Sequence, residues 1–146
     1  MTTSPTSHPE ADLKVHRLQP LRVLLSGRDR RFLRVTSFLL SQRGYDVTQT
    51  SPRETLKTVE QHRSDVVLLE TDASRTMAAR KIASLQALAV APSVLVVVEG
   101  DDDEHERWQG LPAVKKWTPI DTLVDMIEAA ARNRPVPLTE IERAYL

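Results

Sequence analysis

Two short segments of the chain carry residue types that suit binding chemistry. Gly27-Arg28-Asp29-Arg30-Arg31 places arginines and a glycine directly after an apolar run, where an anion can meet a helix N-terminus. This segment lacks the glycine spacing of a dinucleotide site and the Gly-Lys-Ser/Thr of a phosphate-binding loop. Solvated surface charge is therefore the first interpretation, and an anion- or nucleotide-binding sensor built on the Arg28 loop is the alternative. Residues 101–106, DDDEHE, have neither calcium-loop spacing nor a zinc-type histidine pair, and acidic residues are expected at a helix start.

The composition excludes several other kinds of chemistry. The 146 residues include no cysteine, which excludes disulfides, zinc–thiolate sites, iron–sulfur clusters and a thiol nucleophile. None of the 4 histidines has a visible base or ligand partner, and no serine lies in a nucleophile elbow. The 20 basic and 20 acidic residues give a net charge of 0, which argues against binding to nucleic acid phosphates. We predict no metal, no cofactor, no nucleic acid partner and no enzymatic activity.

The pattern along the chain predicts one domain with a segment on each side. Residues 1–20 are polar and aperiodic, which predicts a disordered arm without the apolar stretch of a secretory signal. A regular pattern extends over residues 21–134, and the tail 135–146 has a capping-box pattern that allows a short helix. The longest apolar run, Val94 to Val98, is far shorter than the roughly 20 residues that span a bilayer. We therefore expect no membrane partner and a cytoplasmic location.

Within residues 21–134, short apolar runs alternate with amphipathic segments. The apolar runs predict five buried strands, at 22–26, 45–49, 65–70, 94–98 and 113–117. The other segments predict helices at 30–43, after a capping box at 51–54, at 74–88, at 102–108, and after an N-cap at Thr118. This alternation predicts an α/β fold with a doubly wound, five-stranded parallel sheet of order 2-1-3-4-5 and helices on both faces. A ligand crevice is then expected at the carboxyl ends of the strands.

Three phrases within these elements resemble the receiver domains of response regulators. They are Gly44-Tyr45-Asp46-Val47 after the first helix, DVVLLE at 65–70 and Thr118-Pro119-Ile120-Asp121. The resemblance covers about Leu21 to Arg134 and implies a flavodoxin-like receiver fold and a role in two-component, phosphorelay signalling. In that family, two acidic residues after the first strand and an acceptor aspartate at the end of the third hold magnesium. A hydroxyl residue ends the fourth strand, and a lysine follows the fifth.

The resemblance assigns each of these functional positions to a residue of another type. The acidic pair corresponds to Gly27 and Arg28, the acceptor to Glu70, the hydroxyl residue to Val97 or Val98, and the lysine to Thr118. A guanidinium in a metal site repels a divalent cation and does not lose its proton. We therefore predict a degenerate pseudo-receiver that is not phosphorylated and acts through protein–protein interaction.

Two alternatives remain at this site. Arg28 and Glu70 follow strands predicted to be neighbours, so they either form an ion pair or both extend into water. A register shifted by one or two residues assigns the site to Asp29, Asp72 and Lys116 instead, as an active phospho-acceptor with a non-standard arrangement.

Two surfaces are candidate interfaces. Phe38 lies about 100° from the helix stripe that contains Val35 and Leu39; core packing is the favoured interpretation, and an anchor for histidine-kinase partners is the alternative. The receiver resemblance also implies a dimer face on the predicted fourth helix, fifth strand and last helix. The candidate residues of that face are the aromatic pair Trp108 and Trp117, with Lys115 and Lys116 beside them. We expect a weak homodimer or a protein partner there, unless both tryptophans are buried.

Overall fold

The computed structural model describes residues 19–71, 75–99, 107–108 and 110–134. The predicted tail 135–146, and all of the predicted arm except Gln19 and Pro20, lie outside the described residues. Most of the predicted acidic helix at 102–108 also lies outside them.

Five parallel strands form the centre of the domain, and a two-residue strand pairs antiparallel at one edge. The strands are β1 Arg22–Ser26, β2 Asp46–Thr50, β3 Val66–Glu70, β4 Ser93–Val98, β5 Arg107–Trp108 and β6 Leu111–Lys115. Their order in the sheet is β2-β1-β3-β4-β6-β5, with β5 antiparallel to β6. The parallel strands therefore have the predicted 2-1-3-4-5 order, and the predicted fold class is confirmed. The inner strands β1, β3 and β4 are nearly continuous apolar runs because both faces of the sheet are covered there, whereas the edge strand β2 is mostly polar and only partly buried.

Four α-helices cover the two faces of the sheet. They are α1 Arg30–Gln42, α2 Thr55–His62, α3 Arg75–Gln86 and α4 Ile120–Arg132. One core contains side chains of α1 and α4 with Leu25, and the other contains side chains of α2 and α3 with Leu24. Neighbouring residues of a strand point to opposite faces, so Leu24 and Leu25 enter different cores. None of the described helices has the length and apolar character that crossing a membrane requires.

Three local predictions differ from the structure. Ser51 makes no side-chain cap hydrogen bond; a short 3-10 turn, Pro52–Glu54, follows it, and the hydroxyl of Thr55 bonds back to the Ser51 carbonyl. Thr118 does not cap α4, since its hydroxyl donates to the Lys115 carbonyl 2.5 Å away and the N-cap position is Pro119. The last two residues of the predicted acidic helix, Arg107 and Trp108, form strand β5, because the positive φ of Gly110 turns the chain back into a hairpin.

The buried stripe of α1 is rotated from its predicted position. Phe32, Leu33, Thr36 and Leu40 are buried, whereas Val35, Phe38 and Leu39 are exposed by 39%, 61% and 38%. The prediction that Phe38 packs in the core is therefore wrong. The reason lies at the start of the helix: the Asp29 carboxylate accepts the Phe32 N–H at 3.1 Å, and Phe32 and Leu33 both turn inward from there. The pattern of apolar residues does not predict this rotation, because the buried stripe contains the polar residue Thr36.

Two adjacent leucines test this rotation with the same substitution. We expect Leu40→Ala to lower the free energy of unfolding by about 2–5 kcal/mol, because Leu40 is fully buried. Leu39→Ala removes the same atoms from a partly exposed position and is expected to cost less than half as much. Urea unfolding of both variants measures the difference, and equal losses would contradict the orientation of α1.

Candidate functional site

The candidate site lies where the carboxyl ends of four parallel strands meet. Gly27, Arg28 and Asp29 follow β1, Glu70 ends β3, Glu99 follows β4 and Lys116 follows β6. Strand ends at one edge of a doubly wound sheet converge on a shared crevice. The sheet therefore brings loops that are distant in sequence within contact of one another.

The ammonium group of Lys116 occupies the centre of this site. Its Nζ atom lies 2.6 Å from Asp29 Oδ2, 2.9 Å from Glu70 Oε2 and 2.9 Å from Glu99 Oε2. The side chains of Lys116 and Glu70 are each only 8% exposed, whereas that of Glu99 is 71% exposed. We call these four residues the Lys116 cluster. A buried ammonium is stable only when such partners offset its lost hydration.

The contacts favour the charged forms of Lys116 and Asp29. Burial alone lowers the pKa of Lys116, but the hydrogen bonds to Asp29, Glu99 and Glu70 more than reverse this effect and raise it above its usual value. The hydrogen bond from Lys116, together with that from the Phe32 N–H, lowers the pKa of Asp29. Lys116 is therefore an ammonium and Asp29 a carboxylate at neutral pH.

Backbone donors hold the other oxygen of Glu70. The N–H groups of Arg28 and Asp29 donate to Glu70 Oε1 at 2.8 and 3.2 Å. The Glu70 side chain lies directly against Gly27: a Cβ atom at position 27 would be 2.3 Å from Oε1 and 2.8 Å from the Cβ of Glu70. Gly27 thus leaves the space that the longer glutamate fills.

The predicted ion pair between Arg28 and Glu70 is not formed; the cation that contacts the Glu70 carboxylate is Lys116. Arg28 contacts Glu70 through its backbone N–H, and the ammonium on the carboxylate belongs to Lys116. Strand β6 ends at Lys115, two residues before the predicted end, and the Lys116 N–H bonds to the Val98 carbonyl at 2.8 Å. The lysine that follows the fifth parallel strand and reaches Glu70 is therefore Lys116, whereas Thr118, assigned to that position from the sequence, bonds to the Lys115 carbonyl instead. Trp117 then adopts a left-handed φ of 67°, which turns the chain toward α4. Of the shifted-register residues, the structure brings Asp29 and Lys116 together, and Asp72 lies outside the described residues.

The remaining candidates are separate from the carboxylates. Val97 and Val98 are both buried core residues without a hydroxyl. The Thr71 hydroxyl, which the sequence did not single out, donates to the Val97 carbonyl at 3.1 Å. Glu99 and Thr71 lie in loops that the sequence placed at the crevice, but it assigned no role to either residue.

The candidate interface residues are divided between two places. Lys116 is buried in the cluster rather than at an interface rim, while Lys115 is exposed. Trp117 packs edge-on against Phe32 of α1, with ring centroids 5.2 Å apart, so it lies beside α1 and not only on the predicted dimer face. The backbone of Trp108 pairs with Leu111; its side chain is outside the described part of the chain.

Comparison with known proteins shows which fold this arrangement has. Neither a protein-family profile nor a curated protein sequence matches the chain. FixJ-N is similar in structure, at 19% identity and a TM-score of 0.65 over 83% of this chain and 100% of that one. A response regulator receiver protein from Burkholderia phymatum is 20% identical, with a TM-score of 0.64 over 80% of this chain and 99% of that one. The pseudo-receiver domain of the CikA protein is 19% identical, with a TM-score of 0.53 over 76% of this chain and 96% of that one.

The fold is that of a response-regulator receiver domain. The resemblance seen in the sequence is thus confirmed at the level of the fold. The carboxyl-end crevice of this receiver fold contains the Lys116 cluster.

The magnesium ion that the receiver resemblance implies does not fit these residues. Magnesium prefers several oxygen ligands in octahedral geometry, but Gly27 and Arg28 supply no carboxylate. The three carboxylates of the cluster already share the ammonium of Lys116. Within the described ranges, no group of three or more potential ligand side chains is arranged to hold a metal.

A double-mutant cycle tests the close contact between Gly27 and Glu70. Gly27→Ala is expected to destabilise the protein by about 1–3 kcal/mol, because the new methyl group displaces the Glu70 carboxylate. In a Glu70→Ala background part of this cost disappears, giving a coupling energy of at least about 0.5 kcal/mol in urea unfolding. Glu99→Ala is the control, since Glu99 does not contact Gly27, and its effect adds to that of Gly27→Ala. Additive losses for Gly27 and Glu70 would contradict the contact.

Proposed function

We propose that this chain is a non-enzymatic, receiver-like signalling module that works without phosphorylation, by binding another protein. The observation that carries the proposal is the Lys116 ammonium bonded to Glu70 and Asp29 at 2.9 and 2.6 Å. The receiver resemblance implies a lysine after the fifth strand, and Lys116, which follows the fifth parallel strand, has its ammonium held by carboxylates of the chain itself. The proposal places the module among two-component signalling proteins of the cytoplasm.

The contacts of Glu70 support the lack of phosphorylation. Its Oε1 atom accepts two backbone N–H groups and its Oε2 atom accepts the Lys116 ammonium, so both oxygens are engaged. Phosphoryl transfer needs an acceptor oxygen in line with the donor and positive charge on the transferring group. An acceptor held in this way has to break its ion pair first, and Gly27 and Arg28 offer no ligands for the metal that would help.

An exposed apolar patch supports a role in protein binding. It consists of Val35, Phe38 and Leu39 on α1 together with Trp117, whose side chain is 52% exposed. Val35, Leu39 and Trp117 also line a hollow of about 220 Å³ between α1 and the start of α4. Exposed apolar groups of this kind mark interaction sites, and aromatic anchors beside a pocket carry much of the binding energy. The occupant we infer is a partner protein that inserts one large apolar side chain into this hollow.

Treatment with a small phosphodonor tests the chemical half of the proposal. The intact mass of the purified protein is expected to stay unchanged with and without magnesium. The matched control is the double variant Arg28→Asp, Glu70→Asp, which keeps Gly27 and, together with Asp29, places three carboxylates beside Lys116; it is expected to gain one phosphoryl group when magnesium is present. A magnesium-dependent mass gain in the wild type would instead support the active, non-standard acceptor site with Asp29, Asp72 and Lys116.

Sedimentation over a concentration series tests self-association. We propose a weak homodimer through the face that the sequence indicated, so the average mass of the wild type should rise with concentration and that of Trp108→Ala should not. Phe38→Ala is the comparison variant for the α1 patch. If Phe38→Ala alone abolishes association, the dimer uses the α1 patch, and a wild type that stays monomeric at high concentration contradicts the homodimer.

A further inference from the structure

A second concave surface lies on the other side of the β1–α1 loop from the Lys116 cluster. It is an open groove of about 480 Å³ between the first turns of α1 and the end of β2. Arg28, Arg30 and Arg34 line one wall, and Gln49 and Ser51 line the other. No acidic side chain is among the lining residues within the described part of the chain.

Two of the arginines that line this groove, Arg30 and Arg34, have no carboxylate partner among the described residues. Arg30 and Arg34 are exposed and lie four residues apart on α1, so they share one side of the helix and repel each other. Other cationic side chains have carboxylate partners: Arg43 pairs with Asp121 at 2.7 Å, and Arg134 with Asp65. In the described ranges neither Arg30 nor Arg34 has such a partner. An anion in the groove would remove the repulsion between them.

The walls of the groove are held in place by the sheet. Ser26 of β1 is in register with Thr50 of β2, and the Gly27 N–H donates to the Thr50 carbonyl at 3.3 Å. The Ser51 side chain makes no cap hydrogen bond, so its hydroxyl remains a donor on the wall opposite the arginines. The groove therefore exists before a ligand arrives, which limits the ordering that binding requires.

We propose that this groove binds a small organic phosphate of nucleotide size. Guanidinium groups match phosphate oxygens in bidentate geometry, which favours a phosphate over a simple halide. The volume lies within the roughly 300–1,000 Å³ of small-molecule sites, which is more than inorganic phosphate alone requires. Gln49 and Ser51 offer hydrogen bonds to the organic part. The inference goes beyond the proposed function and does not rest on it, since Arg30, Arg34 and Gln49 are not part of the Lys116 cluster.

Calorimetric titration with ADP, adenosine and inorganic phosphate tests the assignment. We expect saturable ADP binding that weakens as salt concentration rises, weaker binding of inorganic phosphate, and none of adenosine. Arg30→Gln and Arg34→Gln should each weaken ADP binding by roughly tenfold, the loss of one charge-assisted contact. Arg31→Gln is the matched control, because Arg31 has the same charge and exposure on the same helix but does not line the groove, so ADP binding should be unchanged.

Three results would overturn the proposal. The first is no saturable ADP binding to the wild type at low salt. The second is an Arg31→Gln effect as large as that of Arg34→Gln, which would mean diffuse attraction to the helix. The third is inorganic phosphate binding as tightly as ADP, which would remove the organic part of the assignment.

Discussion

One buried ammonium group connects the loops at the functional edge of this domain. Lys116, after β6, reaches Asp29 after β1, Glu70 at the end of β3 and Glu99 after β4. Each of these carboxylates belongs to a different connection of the sheet, so the positions of the connections depend on a single side chain. The side chains of Glu70 and Lys116 are almost fully buried, and removing Lys116 would leave the Glu70 carboxylate with little water and no cationic partner in the cluster.

The residue types around the cluster form one consistent set. The extra methylene of glutamate carries the Glu70 carboxylate to the N–H groups of Arg28 and Asp29, and the missing side chain of Gly27 leaves room for it. Lys116 then supplies the positive charge. A metal ion and a phosphoryl group can leave a site, whereas a lysine side chain cannot. The crevice is thus filled by side chains of the chain itself.

The sequence predicted the parallel sheet well because buried strands are continuous apolar runs whose identity depends on local composition. It located Gly27 and Glu70 at the crevice for the same reason, since both residues terminate or follow such runs. It assigned the lysine position to Thr118 and kept Lys116 only as the shifted-register alternative, because the position of this side chain depends on where β6 ends. A difference of two residues, followed by a left-handed φ that a tryptophan rarely adopts, decides which cation meets Glu70. The rotation of α1 was missed because its buried stripe includes Thr36, which a hydropathy pattern does not count.

The internal charge cluster and the exposed apolar patch are physically connected through Phe32. The Lys116 ammonium lies 5.5 Å from the centre of the Phe32 ring, within the range of a cation–π interaction, and Trp117 packs edge-on against the same ring. Lys116 and Trp117 are consecutive, so the turn that buries one presents the other to the surface. A cluster that keeps Lys116 in place therefore also keeps Trp117 beside Val35 and Leu39. The position of this exposed apolar surface therefore depends on the same side chain that occupies the crevice.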